Sequence, residues 1–196
     1  MVKWFYSIDS KGLQVGTNFA SIMSAIAAGY GQTTATSVSV KNGLAKVTIP
    51  SGNSYFFEPG TVVLISGSTT PGINGEHKVV ATHGNTIFYF ETSVTGTVTG
   101  GATVKVAPLS LPVTNPVTNV YYYQIGGRYL KAKNYPSAYK VEFAVTDDML
   151  DTNITPACVL RMDSPYAVFS DGSFFYFITS SGALVFTPQI PTMTAK

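Results

Sequence analysis

Cysteine is nearly absent: Cys158 is the sole one in 196 residues. A single thiol forms no intramolecular disulfide framework and no thiolate zinc site. Its neighbours, Ala157, Val159 and Leu160, form an apolar run, so it reads as a small buried hydrophobe. Histidine is equally scarce. His77 and His83 flank one short run and lack an obvious third ligand, so both read as surface or strand-end residues. Charge is thin: 11% of residues are Asp, Glu, Lys or Arg, against about 25% in an ordinary soluble domain. Lys and Arg form no run along the chain, which argues against a nucleic-acid partner. The only dense charge, Asp147, Asp148 and Asp151, fits a solvated turn or a cation site, and a lone acidic cluster of this kind is more often a turn. No apolar run approaches the roughly 20 residues of a membrane-spanning helix, and no charged start with an apolar core marks a secretion signal. A membrane partner is therefore not expected, and synthesis in a cytoplasm is. No Gly-x-Ser-x-Gly, phosphate-binding loop or metal spacing occurs, so neither an enzyme nor a cofactor is expected.

What is present is apolar and aromatic. Hydrophobic residues make up 45% of the chain and aromatics 13%, so a packed core is within reach and disorder is excluded. Low charge with many aromatics is the composition of a buried contact surface, and it points to a chain that works in an assembly, with a homo-oligomer as the simplest form.

The arrangement is strand-like almost throughout. One helix is expected near residues 18–28. Phe19, Ile22, Met23 and Ile26 recur at helical spacing, Thr17 or Asn18 can cap the start, and Gly29 can close the end. Residues 36–49 read as a hairpin around Asn42-Gly43. Residues 57–108 hold further runs of β-branched and aromatic residues bounded by Pro59-Gly60, Pro71-Gly72, Asn74-Gly75 and Gly84-Asn85. Three prolines between Ala107 and Pro116 read as a linker without strand character, which places a boundary near residue 112. The second half alternates at period two over Tyr139–Val145. It then offers Tyr166–Ser170 and Ser173–Thr179 around Asp171-Gly172, a type I′ hairpin signal, and Ala183–Phe186. The tail from Pro188 carries no pattern. The expected fold is mainly β: a short N-terminal helix plus two small antiparallel β-barrel or sandwich-like subdomains, 1–111 and 112–196.

Several of these landmarks together resemble a known group. The helix end Ala27-Ala28-Gly29-Tyr30-Gly31 precedes Ser37-Val38-Ser39-Val40 and Pro59–Gly67. Asn74-Gly75-Glu76-His77-Lys78-Val79, Thr97-Val98-Thr99-Gly100 and the aromatic run Phe174–Phe177 follow. This order resembles a family of uncharacterised virion structural proteins of tailed bacteriophages, over residues 4–108 and locally over 166–179. The central module is also similar to a small β-barrel repeat of phage tail and fibre proteins. The resemblance implies a structural role without catalytic residues: capsid decoration, or a collar at the head–tail junction, with capsid, portal or tail proteins as partners and the virion as the location. Residues 112–165 fit the pattern poorly and are free to carry a different specificity. The alternative is a carbohydrate- or receptor-binding module of a tail or fibre, with the tyrosine-rich second half as its platform. The candidate interface residues are Tyr121, Tyr122, Tyr123, Phe174, Tyr176 and Ile190.

Overall fold

The computed structural model describes residues 1–6, 19–51, 57–95, 98, 101–138, 140–149, 156, 158–161, 166–170, 173–179, 182–186 and 193–194. Among these residues there is one α-helix, and every strand pairing is antiparallel, so the protein is mainly β. The chain divides into two compact units, one of residues 1–28 with 109–196 and one of residues 29–108. This differs from a single cut at 112, which keeps residues 1–111 together. The reason is β1 (Lys3–Tyr6), which pairs with a strand of the C-terminal half and carries the N-terminal segment with it.

The first unit opens with β1 and α1 (Phe19–Ala28). Ile22, Met23 and Ile26 are buried, which is the apolar stripe anticipated from their spacing. The expected caps Thr17 and Asn18 lie outside the described residues. Gly29 follows the last helical residue with φ +76°, the left-handed closing position that glycine fills without strain. A Cβ there would also collide with the Val106 carbonyl oxygen. Gly29→Ala is therefore expected to cost at least about 2 kcal/mol of stability. Thermal unfolding measures it, and an unchanged midpoint would contradict this placement.

The second unit is one seven-stranded sheet built from β2 (Thr33–Thr34), β3 (Ser37–Lys41), β4 (Leu44–Thr48), β5 (Val62–Ser66), β6 (Gly75–His83), β7 (Ile87–Glu91) and β8 (Thr103–Val106), in the order β2-β8-β5-β6-β7-β4-β3. Asn42 and Gly43 have φ +52° and +77°, so the β3–β4 hairpin turns as its sequence dictates. β6 is long enough to pair with β5 at its start and β7 at its end, with a register shift between Val79 and Ala81. Such an irregularity bends a strand and turns the sheet. Val47, Val79, Phe88 and Phe90 of this sheet are buried, and Phe57 packs on Phe88 with ring centroids 5.2 Å apart. The loop before β6 is clamped by Asn74. Its Oδ1 accepts from Ser68 N at 2.9 Å, and its Nδ2 donates to Ser68 O at 2.8 Å.

The rest of the first unit holds two five-stranded sheets. The first comprises β9 (Val113–Val117), β10 (Val120–Ile125), β11 (Arg128–Tyr135), β12 (Lys140–Thr146) and β13 (Cys158–Arg161), in sequence order across the sheet. The second comprises β14 (Tyr166–Ser170), β15 (Phe175–Thr179), β16 (Gly182–Phe186) and β17 (Met193–Thr194), with β1 on the outer edge of β14. They form one core: Phe143 of β12 lies 6.2 Å from Phe177 of β15, and both are fully buried.

Three expectations need correction. The proline-rich stretch is not a free linker. Val113–Val117 forms β9 with Pro116 inside it, tolerated because β9 is an edge strand whose outer side needs no ladder donor. Leu109 and Leu111 are buried, and Leu109 N donates to Ile26 O. The tail is not wholly without pattern, since Met193–Thr194 pairs with β16. The β14–β15 connection is not a two-residue turn: Ser170 pairs with Phe175, leaving four residues between them. Asp171 and Gly172 lie outside the described residues. Ser170 Oγ donates to Phe174 O across this connection.

Candidate functional site

The register of β1, β14, β15 and β16 sorts their side chains onto two faces. Phe5, Val168, Phe175, Phe177, Leu184 and Phe186 face the core and are at most 1% exposed. The opposite face carries Trp4, Ala167, Tyr176, Ile178, Ala183 and Val185. Trp4 and Tyr176 share one cross-strand row through position 169, and Val185 continues it. Trp4 is 50% exposed and Ile178 40%; the other four are half-buried. Phe174, also half-buried, meets Tyr176 edge-on with centroids 5.2 Å apart. No charged residue falls on this face among the described residues, although both faces of an isolated sheet would normally not be apolar.

The predicted interface residues separate. Phe174 and Tyr176 belong to this outer face. Tyr122 and Tyr123 do not suit a contact role, because each is 2% exposed and part of the unit's own packing. Their adjacency in sequence hid this: successive residues of a strand point to opposite faces, and both faces are covered here. Tyr121 is half-buried and stacks on Tyr123 with centroids 6.4 Å apart. Ile190 lies outside the described residues. Tyr121 and Tyr123 line a cleft of about 270 Å³ with Met23, Ser24, Val113 and Asn115. The Asn115 amide there is already committed, donating to Val117 O and Val120 O. Burial, and secondarily the neighbouring Tyr121, pushes the Tyr123 phenol far above its ordinary pKa, so it stays neutral.

The remaining polar candidates have structural partners. Cys158 is buried, which pushes its thiol pKa up and away from the reactive thiolate. Asp147 receives Arg128 Nε and Nη2, and Asp148 N donates to Thr146 Oγ1 in a tight turn. Asp151 lies outside the described residues. No three His, Cys, Asp or Glu side chains converge among the described residues.

His83 closes β6 and is exposed, as expected of a strand-end residue. His77 is not a surface residue. It is half-buried, stacks on Phe90 at 4.0 Å, and its Nε2–H donates to Ile73 O at 2.9 Å. Burial lowers its pKa despite that hydrogen bond. The unfolded chain therefore takes up a proton below about pH 6.5 that the folded chain resists. Stability of the second unit should be complete above that pH and fall as pH drops towards the folded value. Hydrogen exchange of β6 amides at pH 7.5 and 5.5 reads the loss, and His77→Phe should abolish the part that His77 causes. An identical pH slope in that variant would refute the assignment.

Sequence reading also missed a cluster. Lys131, Lys133, Lys140 and Arg161 are spread over 31 positions, yet β11, β12 and β13 bring them onto one sheet face. The available signal was cations at alternating positions of neighbouring strands, which matters only once pairing is known.

No family model and no curated protein matches the sequence. Among solved structures, the phage phi92 endosialidase is similar with a TM-score of 0.30 and 12% identity; the match covers 79% of this chain and spans 29% of that chain's length.

Proposed function

We propose that this chain is a structural component of a tailed-phage virion, a capsid decoration or head–tail collar protein that acts through multivalent protein–protein contacts. The observation that carries the reading is the uncharged outer face of β1, β14, β15 and β16, with Trp4, Tyr176 and Ile178 accessible on it. Aromatic anchors on a surface depleted of charge are the composition of interface cores. Scarce charge elsewhere and the sequence resemblance to virion structural proteins support the same reading. Symmetric copies on a shell would each add a modest contact, and simultaneous engagement would make attachment tight without any single strong site. The reading assigns no reaction to the chain and needs no cofactor.

Light scattering of the purified full chain, followed by co-sedimentation with particles lacking it, tests the proposal. An oligomer, or capture by the particles, is the expected result. A monodisperse monomer with no affinity for capsid, portal or tail proteins would overturn it.

A further inference from the structure

Asparagine is followed directly by glycine at Asn42-Gly43 and at Asn74-Gly75. Such a pair is chemically special, because glycine puts no side chain in the way when its amide nitrogen approaches the asparagine carboxamide. The fold treats these pairs in opposite ways.

Asn74 is locked. Its Oδ1 accepts from Ser68 N and its Nδ2 donates to Ser68 O, so both ends of the carboxamide are committed. Its backbone is extended, with ψ 147°, and its N donates to Pro71 O. Gly75 already belongs to β6, in register with Ile65 of β5. An approach of Gly75 N to the Asn74 carboxamide has to turn the peptide plane at the start of β6 and swing the side chain off Ser68.

Asn42 is not held in this way. Asn42 and Gly43 are exposed at the tip of the β3–β4 hairpin, and among the described residues the Asn42 carboxamide has no hydrogen-bond partner. They stand between the paired residues Lys41 and Leu44 with φ +52° and +77°, which is a type I′ turn. Thr92 N donates to Gly43 O, a bond to the peptide plane after Gly43. Flipping only the Asn42–Gly43 plane converts type I′ into type II′. Both types close a two-residue hairpin, so the strand register and the Thr92 bond persist through the flip. The flip carries ψ of Asn42 to about −120°. At that value Cβ and the next nitrogen eclipse about the Cα–C bond of an L residue, which brings Gly43 N within reach of Asn42 Cγ.

We propose that Asn42 is a site of spontaneous deamidation through a cyclic imide, and that the fold protects Asn74 from the same reaction. Gly43 N attacks Asn42 Cγ and gives its proton to solvent. The new N–C bond closes the imide, the Cγ–Nδ2 bond breaks, and the nitrogen leaves as ammonia with a proton taken from solvent. Water then adds to one imide carbonyl and opens the ring. Addition at Cγ yields aspartate; addition at the backbone carbonyl yields isoaspartate, whose main chain runs through Cγ. Either product puts a new carboxylate into the open cleft that Asn42 lines with Glu91. Isoaspartate also adds a methylene to a turn whose dihedrals set the hairpin register. The inference is independent of the assembly surface, since the hairpin belongs to the second unit.

Incubation of the full folded chain in heavy-oxygen water at mildly alkaline pH tests it, with a parallel sample kept unfolded in urea. Peptide mass spectrometry then separates labelled aspartate and isoaspartate at each position. In the folded chain Asn42 should convert at least about tenfold faster than Asn74, since freeing the Asn74 carboxamide breaks two hydrogen bonds. In urea the two should convert at similar rates, and both products should appear at position 42. The proposal is overturned by equal rates in the folded chain, by a faster Asn74, or by no conversion at Asn42. The same gap persisting in urea would also overturn it, by placing the cause in the neighbouring sequence, as would aspartate without isoaspartate, the mark of direct hydrolysis.

Discussion

Phe177→Ala is expected to remove about 3–5 kcal/mol from the stability of the first unit, the usual range for deleting a buried phenylalanine ring. That is a large share of the roughly 5–15 kcal/mol a domain has in total. Phe177 is fully buried, stacks on Phe175 at 6.3 Å and meets Phe143 of the facing sheet at 6.2 Å. Its loss would leave a cavity between two sheets that cannot easily close. The neighbouring residue gives the control. Ile178 points to the opposite face and is 40% exposed, so Ile178→Ala should cost about 0.5 kcal/mol or less. Urea unfolding followed by tryptophan fluorescence suits the measurement, because the sole tryptophan, Trp4, lies on β1 in this unit. Phe143→Ala with Phe177→Ala should cost less than the two changes added, by about 0.5–1.5 kcal/mol, the coupling of an aromatic pair. Equal costs at Phe177 and Ile178 would mean that the register of β15 is inverted.

The same register yields the second prediction with the opposite readout. Tyr176→Glu places a charge in the centre of the uncharged outer face. If that face mediates assembly, association should weaken by at least about 30-fold, the equivalent of a 2 kcal/mol hot spot. Folding should be unaffected, because Tyr176 is only half-buried and its inward neighbours Phe175 and Phe177 are retained. Sedimentation equilibrium and particle co-sedimentation read the effect. Leu44→Lys, at a 41% exposed position of the second unit, alters hydrophobicity elsewhere and should leave association intact. Wild-type association in Tyr176→Glu, or equal loss in Leu44→Lys, would remove the outer face from consideration and leave the proposed role without its contact surface.

Phe177 and Tyr176 lie side by side in a run whose strand character is legible from the amino-acid sequence, while their opposite fates are not. Local chemistry determined the local elements. Asn42-Gly43 and Gly126-Gly127 turn with positive φ between paired strands, because few residues adopt that conformation cheaply. Ile22, Met23 and Ile26 lie on one buried helical stripe, and alternation along 140–145 became β12 with Val141 and Phe143 inward. These depend on neighbours a few residues away, and the chain encodes them directly. Tertiary structure decided everything that depends on which strand lies beside which. β1 joins β14 across about 160 positions, and only that pairing brings Trp4 into the row of Tyr176. Tyr122 and Tyr123 read as a surface run by sequence, yet both faces of β10 are covered there. Four cations invisible as a cluster in the sequence became one face through the pairing of β11, β12 and β13. Turn and helix signals act over a single turn of chain. Pairing is chosen among many distant strands of similar alternation, by the total burial of all the faces at once.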